Sequence, residues 1–99
     1  MNFTLIVYNN VADEVESAAL YYESRQGGLG LRFLNDWEKA LSVLENHPLG
    51  YQKKYKTFRQ IQLQKFPYLI MYEIDGDNIL VYRIINAKRH PNKRFNKKQ

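Results

Sequence analysis

Arg59 stands where its surroundings invite chemistry. Across Thr57 to Gln64 the chain alternates, with Ile61 and Leu63 on one face and Gln60, Gln62 and Gln64 on the other. Arg59 shares the parity of Ile61 and Leu63, so it points with them. A cation on that face is costly unless it reaches water at the strand end or meets a partner. Two readings stay open: Arg59 snorkels at a rim, or it reaches a phosphate or an acidic partner in a concave site. Upstream lies Tyr51-Gln52-Lys53-Lys54-Tyr55-Lys56. Interleaved Tyr and Lys suit RNA or a single strand, with ammonium groups on phosphates and rings on bases. A solvated loop is the plainer alternative. The densest cationic element is Lys88-Arg89-His90-Pro91-Asn92-Lys93-Arg94. Arg89 and His90 follow the last predicted strand, which would position them, and Lys93 and Arg94 read as the start of an electrostatic arm or a plain solvated terminus.

These residues bound the reactions available. RNA cleavage through the 2′-hydroxyl needs a proton acceptor, a proton donor and stabilisation of a charged phosphorane. Arg59, Arg89, Lys53 and Lys54 supply cations for the third role. Ordinary Lys and Arg are protonated at neutral pH and make poor bases. Tyr51, Tyr55 and His90 are left for proton transfer, and none is a clear base. The catalytic candidates are therefore Arg59, Arg89, His90 and Tyr55. The candidates for binding a target or nucleic acid are Lys53, Lys54, Lys56, Arg59, Lys88, Arg89, Lys93 and Arg94. Binding and inhibition fit this inventory better than catalysis.

Other chemistries drop out. The chain has no Cys, which removes thiolate ligands, a Cys nucleophile and disulfide staples, and fits a reducing compartment. His47 and His90 share no metal-ligand spacing, so neither a metal nor a cofactor is expected. Gly27-Gly28-Leu29-Gly30 lacks the Lys-Ser/Thr of a phosphate loop. Ser17, Ser24 and Ser42 lie in helical segments without a nucleophile turn.

The elements that would position the candidates can be read from periodicity. Phe3 to Tyr8 is a β-branched and aromatic run, hence a strand. Asn10 is an acceptable helix start, with Asp13, Glu14 and Glu16 placed for the first turns. Val11, Val15, Ala18, Ala19 and Tyr22 give that helix an apolar face, and Gly27-Gly28 ends it. A second helix runs from about Gly30 to Asn46. Phe33, Leu34, Trp37, Ala40, Leu41 and Leu44 form its stripe, and Asp36, Glu38, Lys39 and Glu45 lie off it. His47-Pro48 stops the second helix. The short link between the helices implies an antiparallel hairpin. Three strands follow: Thr57 to Gln64, Phe66 to Ile74 and Ile79 to Ile85, the last two joined by a turn at Asp75-Gly76-Asp77-Asn78. The order is β-α-α-β-β-β, an α+β fold with a small antiparallel sheet and a helical hairpin on one face. One domain over residues 1–95 and a frayed basic tail at 96–99 complete the plan.

Charge divides this plan in two. The 99 residues carry a net charge of +5, unevenly spread. Residues 1–45 hold three basic and seven acidic residues, a balance of −4, and residues 46–99 hold twelve and three, a balance of +9. Such asymmetry points to a nucleic acid or an acidic protein as partner of the second half. No apolar run approaches a membrane span and the N-terminus has no basic leader, so a cytoplasmic protein with no membrane partner is expected.

Tyr21-Tyr22, then Gly30, Phe33 and Leu41, then Pro48, then Arg59-x-x-x-Leu63-x-x-Phe66-Pro67-Tyr68-x-Ile70-x-Tyr72, then Ile79-x-Val81 and Arg89-x-Pro91 form a pattern. It resembles the RelE/ParE superfamily of toxins from type II toxin–antitoxin modules, often labelled plasmid stabilisation proteins. The resemblance implies the β-α-α-β-β-β fold and a growth-inhibiting protein held inactive by a cognate antitoxin. It also implies one of two activities. RelE-like members are endoribonucleases that cleave mRNA on the ribosome, and ParE-like members inhibit DNA gyrase. Arg59 and Arg89 match positions where the family pattern carries arginines. Asn86 stands where many ParE-like members have His, and no Tyr follows Tyr82, so the C-terminal Tyr of the RelE-like site is missing. The ParE-like mode is favoured; a relic without toxicity is a third reading. In each case the expected partner is an antitoxin with an acidic, partly disordered segment that orders on the basic face, with Leu20 as a possible contact.

Overall fold

The apolar stripes of two helices meet one face of a single twisted sheet. The structure is a computed structural model and describes residues 3–51 and 53–88. Strand β1 (Thr4–Val7) leads into helices α1 (Asn9–Arg25) and α2 (Leu29–Asn46), then a 3-10 turn at Pro48–Gly50. Strands β2 (Lys53–Tyr55), β3 (Phe58–Gln62), β4 (Tyr68–Asp75) and β5 (Asn78–Asn86) follow. The sheet order is β1-β5-β4-β3-β2. The expected β-α-α-β-β-β order therefore holds, with the three-residue β2 added where a loop was expected.

One pairing differs from an all-antiparallel sheet. β2 to β5 pair antiparallel, but β1 lies parallel to β5, with Leu5 opposite Ile79 and Val7 opposite Val81. No tight turn joins these two strands. Both helices and the meander separate them, so the antiparallel geometry a hairpin would impose does not apply. The sheet is mixed.

The core lies between the layers. From the helices come Val11, Val15, Phe33, Trp37 and Leu44, and from the sheet Ile61, Ile70, Tyr72, Ile79 and Val81, all buried. Residues directly opposite each other across β3 and β4, such as Arg59 with Tyr72 and Ile61 with Ile70, share a face. Arg59 thus lies on the helix-facing side, as its parity predicts.

Two helix ends depart from expectation. α1 begins at Asn9, one residue early, and the residue before it, Tyr8, makes no side-chain cap. Asn10 does not cap the helix; its Nδ2 donates to the Tyr82 carbonyl at 3.3 Å. Tyr82 is the extra residue of a bulge, because Met71 pairs with Arg83 while Tyr72 pairs with Val81. A bulge disturbs the local ladder, and Asn10 reaches the Tyr82 carbonyl there. With the earlier start, Asp13, Glu14 and Glu16 fall beyond the first turn, which holds no acid.

Candidate functional site

Phe66, Pro67 and Tyr68, the most distinctive part of the sequence pattern, build structure. The Phe66 ring lies 4.8 Å from Tyr22 and 5.3 Å from Phe33, and Tyr68 lies 5.1 Å from Phe33, centroid to centroid. These edge-on contacts pin the β3–β4 loop to the helical hairpin. Asp36 completes the attachment. It was expected off the apolar stripe, yet only 4% of its surface is exposed. Its Oδ2 accepts from the Lys65 N–H at 2.8 Å and the Phe66 N–H at 3.0 Å. A carboxylate with two main-chain donors tolerates burial that a bare one would not.

Arg59 is half-buried, and its guanidinium donates to the Tyr51 carbonyl. Beside it, the buried Tyr72 hydroxyl donates to the Pro48 carbonyl at 2.8 Å. Burial pushes the Tyr72 hydroxyl up to about 12, while the Arg59 charge pulls it the other way. Between them, Arg59 and Tyr72 hold the segment from Pro48 to Tyr51 against the sheet. The partner that Arg59 needs at this parity is thus main chain, and one of its nitrogens is already engaged.

On the opposite face, the Glu73 carboxylate accepts from the Thr57 hydroxyl and, at 2.8 Å, from the Tyr82 hydroxyl. Those hydrogen bonds hold Glu73 below the usual carboxylate range. The bond to Glu73 in turn drives the Tyr82 hydroxyl above its ordinary value. Tyr82 also packs edge-on against Tyr8 at 4.8 Å and Phe58 at 5.3 Å. An acid–base pair for catalysis wants values drawn toward neutrality. Here the carboxylate is a weaker base and the phenol a weaker acid than in water.

A groove runs along α2 where it meets the free part of β3. One cavity of about 260 Å³ is lined by the apolar Ala40, Val43 and Ile61 together with Asp36, Lys39, Tyr51, Gln62 and Gln64. A second, of about 160 Å³, adjoins it through Asp36 and Lys39 and is lined further by Arg32, Asn35 and Lys65. β2 pairs with β3 only at Phe58 and Arg59, so Gln62 lies beyond it. The Leu63 N–H donates to the Tyr68 carbonyl on the β4 side. Alternation then turns the main-chain N–H and C=O of Gln62 away from β4.

The residues expected to form one basic site are only partly brought together. Lys53 is exposed on β2 opposite Arg59, and Lys56 is exposed in the β2–β3 turn at φ 53°. Lys54 and Tyr55 belong to β2, and their side chains fall outside the description. Lys88 is exposed, its N–H donating to Asn86 Oδ1 at 3.0 Å. Arg89, His90, Lys93 and Arg94 lie outside the described residues. Arg32, Lys39 and Lys65 were not foreseen as a group. Two of them come from the half with the negative balance, and only packing brings them to Lys65.

Known proteins supply a frame for this geometry. The family model for the ParE toxin of the type II toxin–antitoxin system parDE matches residues 5–91. Among solved structures, a chain of the chromosomal ParDE system from P. aeruginosa matches with a TM-score of 0.75 and 17% identity, covering 85% of this chain and 95% of that one. At that identity the likeness is one of fold. No curated protein matches. Among the described residues, no helix is long and apolar enough to cross a membrane.

Proposed function

The chain belongs to the ParE toxin family of type II toxin–antitoxin systems, and on that premise we propose that it acts by binding an essential nucleic-acid enzyme, DNA gyrase, rather than by cutting RNA. A cognate antitoxin with an acidic, partly disordered segment neutralises it, and both act in the cytoplasm. The observation that carries the choice of mode concerns a described carboxylate–phenol pair, the Tyr55 side chain and His90 lying outside the described residues. The described carboxylate–phenol pair, Glu73 and Tyr82, is held away from neutrality on both sides. Arg59 is engaged with the Tyr51 carbonyl. Cations for binding are plentiful, and a positioned base is what RNA cleavage would add.

Gyrase supercoiling in the presence of the purified chain tests this reading. Inhibition that a purified antitoxin reverses is the expected result. Full supercoiling at high molar excess of the chain overturns the gyrase mode. In parallel, programmed ribosomes are incubated with the chain and message ends are mapped. Cleavage that disappears with Arg89→Ala and His90→Ala establishes the ribonuclease instead. Normal growth on induced expression without antitoxin identifies a non-toxic relic.

A further inference from the structure

The face of the sheet turned away from the helices carries apolar side chains as closed to solvent as those of the core. Leu69, Met71 and Ile85 are each no more than 6% exposed. None of them belongs to the core between helices and sheet, to which the alternate residues Tyr68, Ile70 and Tyr72 point. Leu69 pairs with Gln62 and Ile85, and Met71 with Gln60 and Arg83. Neighbours in a sheet shield a side chain from its flanks, and closing it from above takes a second layer. Yet all five strands lie in one sheet and both helices pack on its other face, so among the described residues no helix or strand lies across this set. Gln60 stands in the same row as Met71. Among the described residues its Nε2 is cut off from solvent and has no acceptor. A buried amide donor left without an acceptor is costly and uncommon.

We propose that the covering layer is the chain's own segment 89–99, folded back over β5 and β4 with Phe95 seated on Leu69, Met71 and Ile85. The inference is independent of the gyrase and antitoxin readings. β5 delivers the chain to the edge of this set: the Ala87 N–H donates to the Pro67 carbonyl at 2.7 Å, and the exposed Lys88 follows. The eleven residues 89–99 reach about 35 Å when extended, and crossing from β5 to β3 takes about 10 Å. His90-Pro91-Asn92-Lys93 places Pro and Asn at the central positions of a reverse turn. Phe95, the only Phe, Tyr or Trp of the segment, then comes back toward the sheet, and one such ring covers the area of several aliphatic side chains. A main-chain carbonyl of the returning segment supplies the acceptor for Gln60 Nε2. The segment carries Arg89, Lys93, Arg94, Lys97 and Lys98 and no acid, and Glu73 lies on the same face. A second copy of the chain fits less well, because the covered set begins where this segment leaves β5 and the tether supplies a high local concentration. Docked in this way, Lys93 and Arg94 are fixed to the sheet instead of forming a free arm.

The chain has no Cys, so Asn96→Cys carries a single nitroxide label on the full chain. In NMR spectra the amides of Leu69, Met71 and Ile85 and the Met71 methyl are expected to broaden more than any signal of α1 or α2. Absent broadening on this face, or stronger broadening on the helices, overturns the proposal. Equal broadening in a mixture of nitroxide-bearing chain with isotopically labelled parent chain assigns the cover to a second copy and also overturns it. Oxidation of Met71 by dilute peroxide is the second readout, followed by mass spectrometry with Met1, the other methionine, as reference. Phe95→Ala, its folding checked by circular dichroism, is expected to speed Met71 oxidation severalfold, and Phe95→Leu to restore most of the protection. Parent-like oxidation in a folded Phe95→Ala chain overturns Phe95 as the cover. If Phe95→Ala does not fold, the nitroxide measurement, which leaves Phe95 in place, decides alone.

Discussion

Glu23 and Asp36 each accept hydrogen bonds from two main-chain N–H groups, one at the turn of the helical hairpin and the other between helix and sheet. Glu23 takes the Gly28 and Gly30 N–H groups at 2.9–3.1 Å, five and seven residues away, and is exposed. Asp36 takes the Lys65 and Phe66 N–H groups from about thirty residues away and is buried. The chemistry is the same, and depth and sequence separation differ. Water can replace Glu23 as an acceptor for Gly28. Asp36 itself keeps only 4% of its surface exposed, so its two bonds are worth more than those of the exposed carboxylate. The first carboxylate shapes a turn that α1 and α2 already favour. The second fixes a long-range contact whose loop must be closed against chain entropy.

Substitution at the buried member breaks or upholds this contrast most directly. Asp36→Ala leaves two donors without their acceptor. The two bonds are part-buried, so at about 1–3 kcal/mol for each unpaired donor a loss of about 2–4 kcal/mol is expected. That is a large share of the stability of a domain this size. Urea unfolding measures it. Asp36→Asn keeps a carbonyl oxygen in place and should recover most of the loss. If Asp36→Ala costs under about 1 kcal/mol, burial and separation do not govern these anchors.

A neutral anchor at equal depth separates charge from burial. Tyr72→Phe removes the donor to the Pro48 carbonyl and should cost about 1–2 kcal/mol. It carries a pH signature as well. The Tyr72 hydroxyl sits at about 12 in the fold and at about 10 in an unfolded chain. Its contribution is complete below pH 10 and is lost as pH rises through 12, because the unfolded chain releases that proton first. The gap in stability between the parent and Tyr72→Phe should therefore narrow between those values. A constant gap would mean that the hydroxyl does not titrate as a buried group. The Tyr82 hydroxyl is also raised, so part of the alkaline slope persists in the variant.

Periodicity announced the two helices, their apolar stripes, the β4–β5 hairpin and the parity of Arg59, because each is a local pattern with a fixed repeat. The anchors had no such signal. Asp36 lies off the stripe of strongly apolar residues, and nothing in its neighbours indicates that Lys65 and Phe66 will arrive from another element. The parallel placement of β1 depends on packing across the whole chain. The groove is further from local reach, since Arg32 and Lys39 come from the half with negative balance and meet Lys65 only in the folded molecule. Gly30 was read as the start of a helix, yet a Cβ there would stand 2.6 Å from the Ala19 carbonyl. Its lack of a side chain lets the helices approach, a constraint that becomes visible only when both helices are in place.

The exposed carboxylate should give the smallest effect, and that effect should depend on pH. The Gly28 N–H, and then the Gly30 N–H, hold Glu23 below the usual Glu range. A lowered value in the fold means that stability is present above the unfolded value, about 4.3, and is lost as pH falls through the folded one. Glu23→Gln removes this linkage while keeping a carbonyl acceptor. The parent and Glu23→Gln should differ slightly in Tm at neutral pH, and the difference should vanish in acid. Solvent and salt screen the exposed carboxylate, so the neutral-pH difference should be well below that for Asp36→Ala. If Glu23→Gln instead costs as much as Asp36→Ala, the hairpin turn is not preformed by its helices and its carboxylate holds tertiary structure too. If the difference persists in acid, the paired acceptor geometry of its two oxygens, which an amide with one oxygen cannot reproduce, carries the effect rather than the charge.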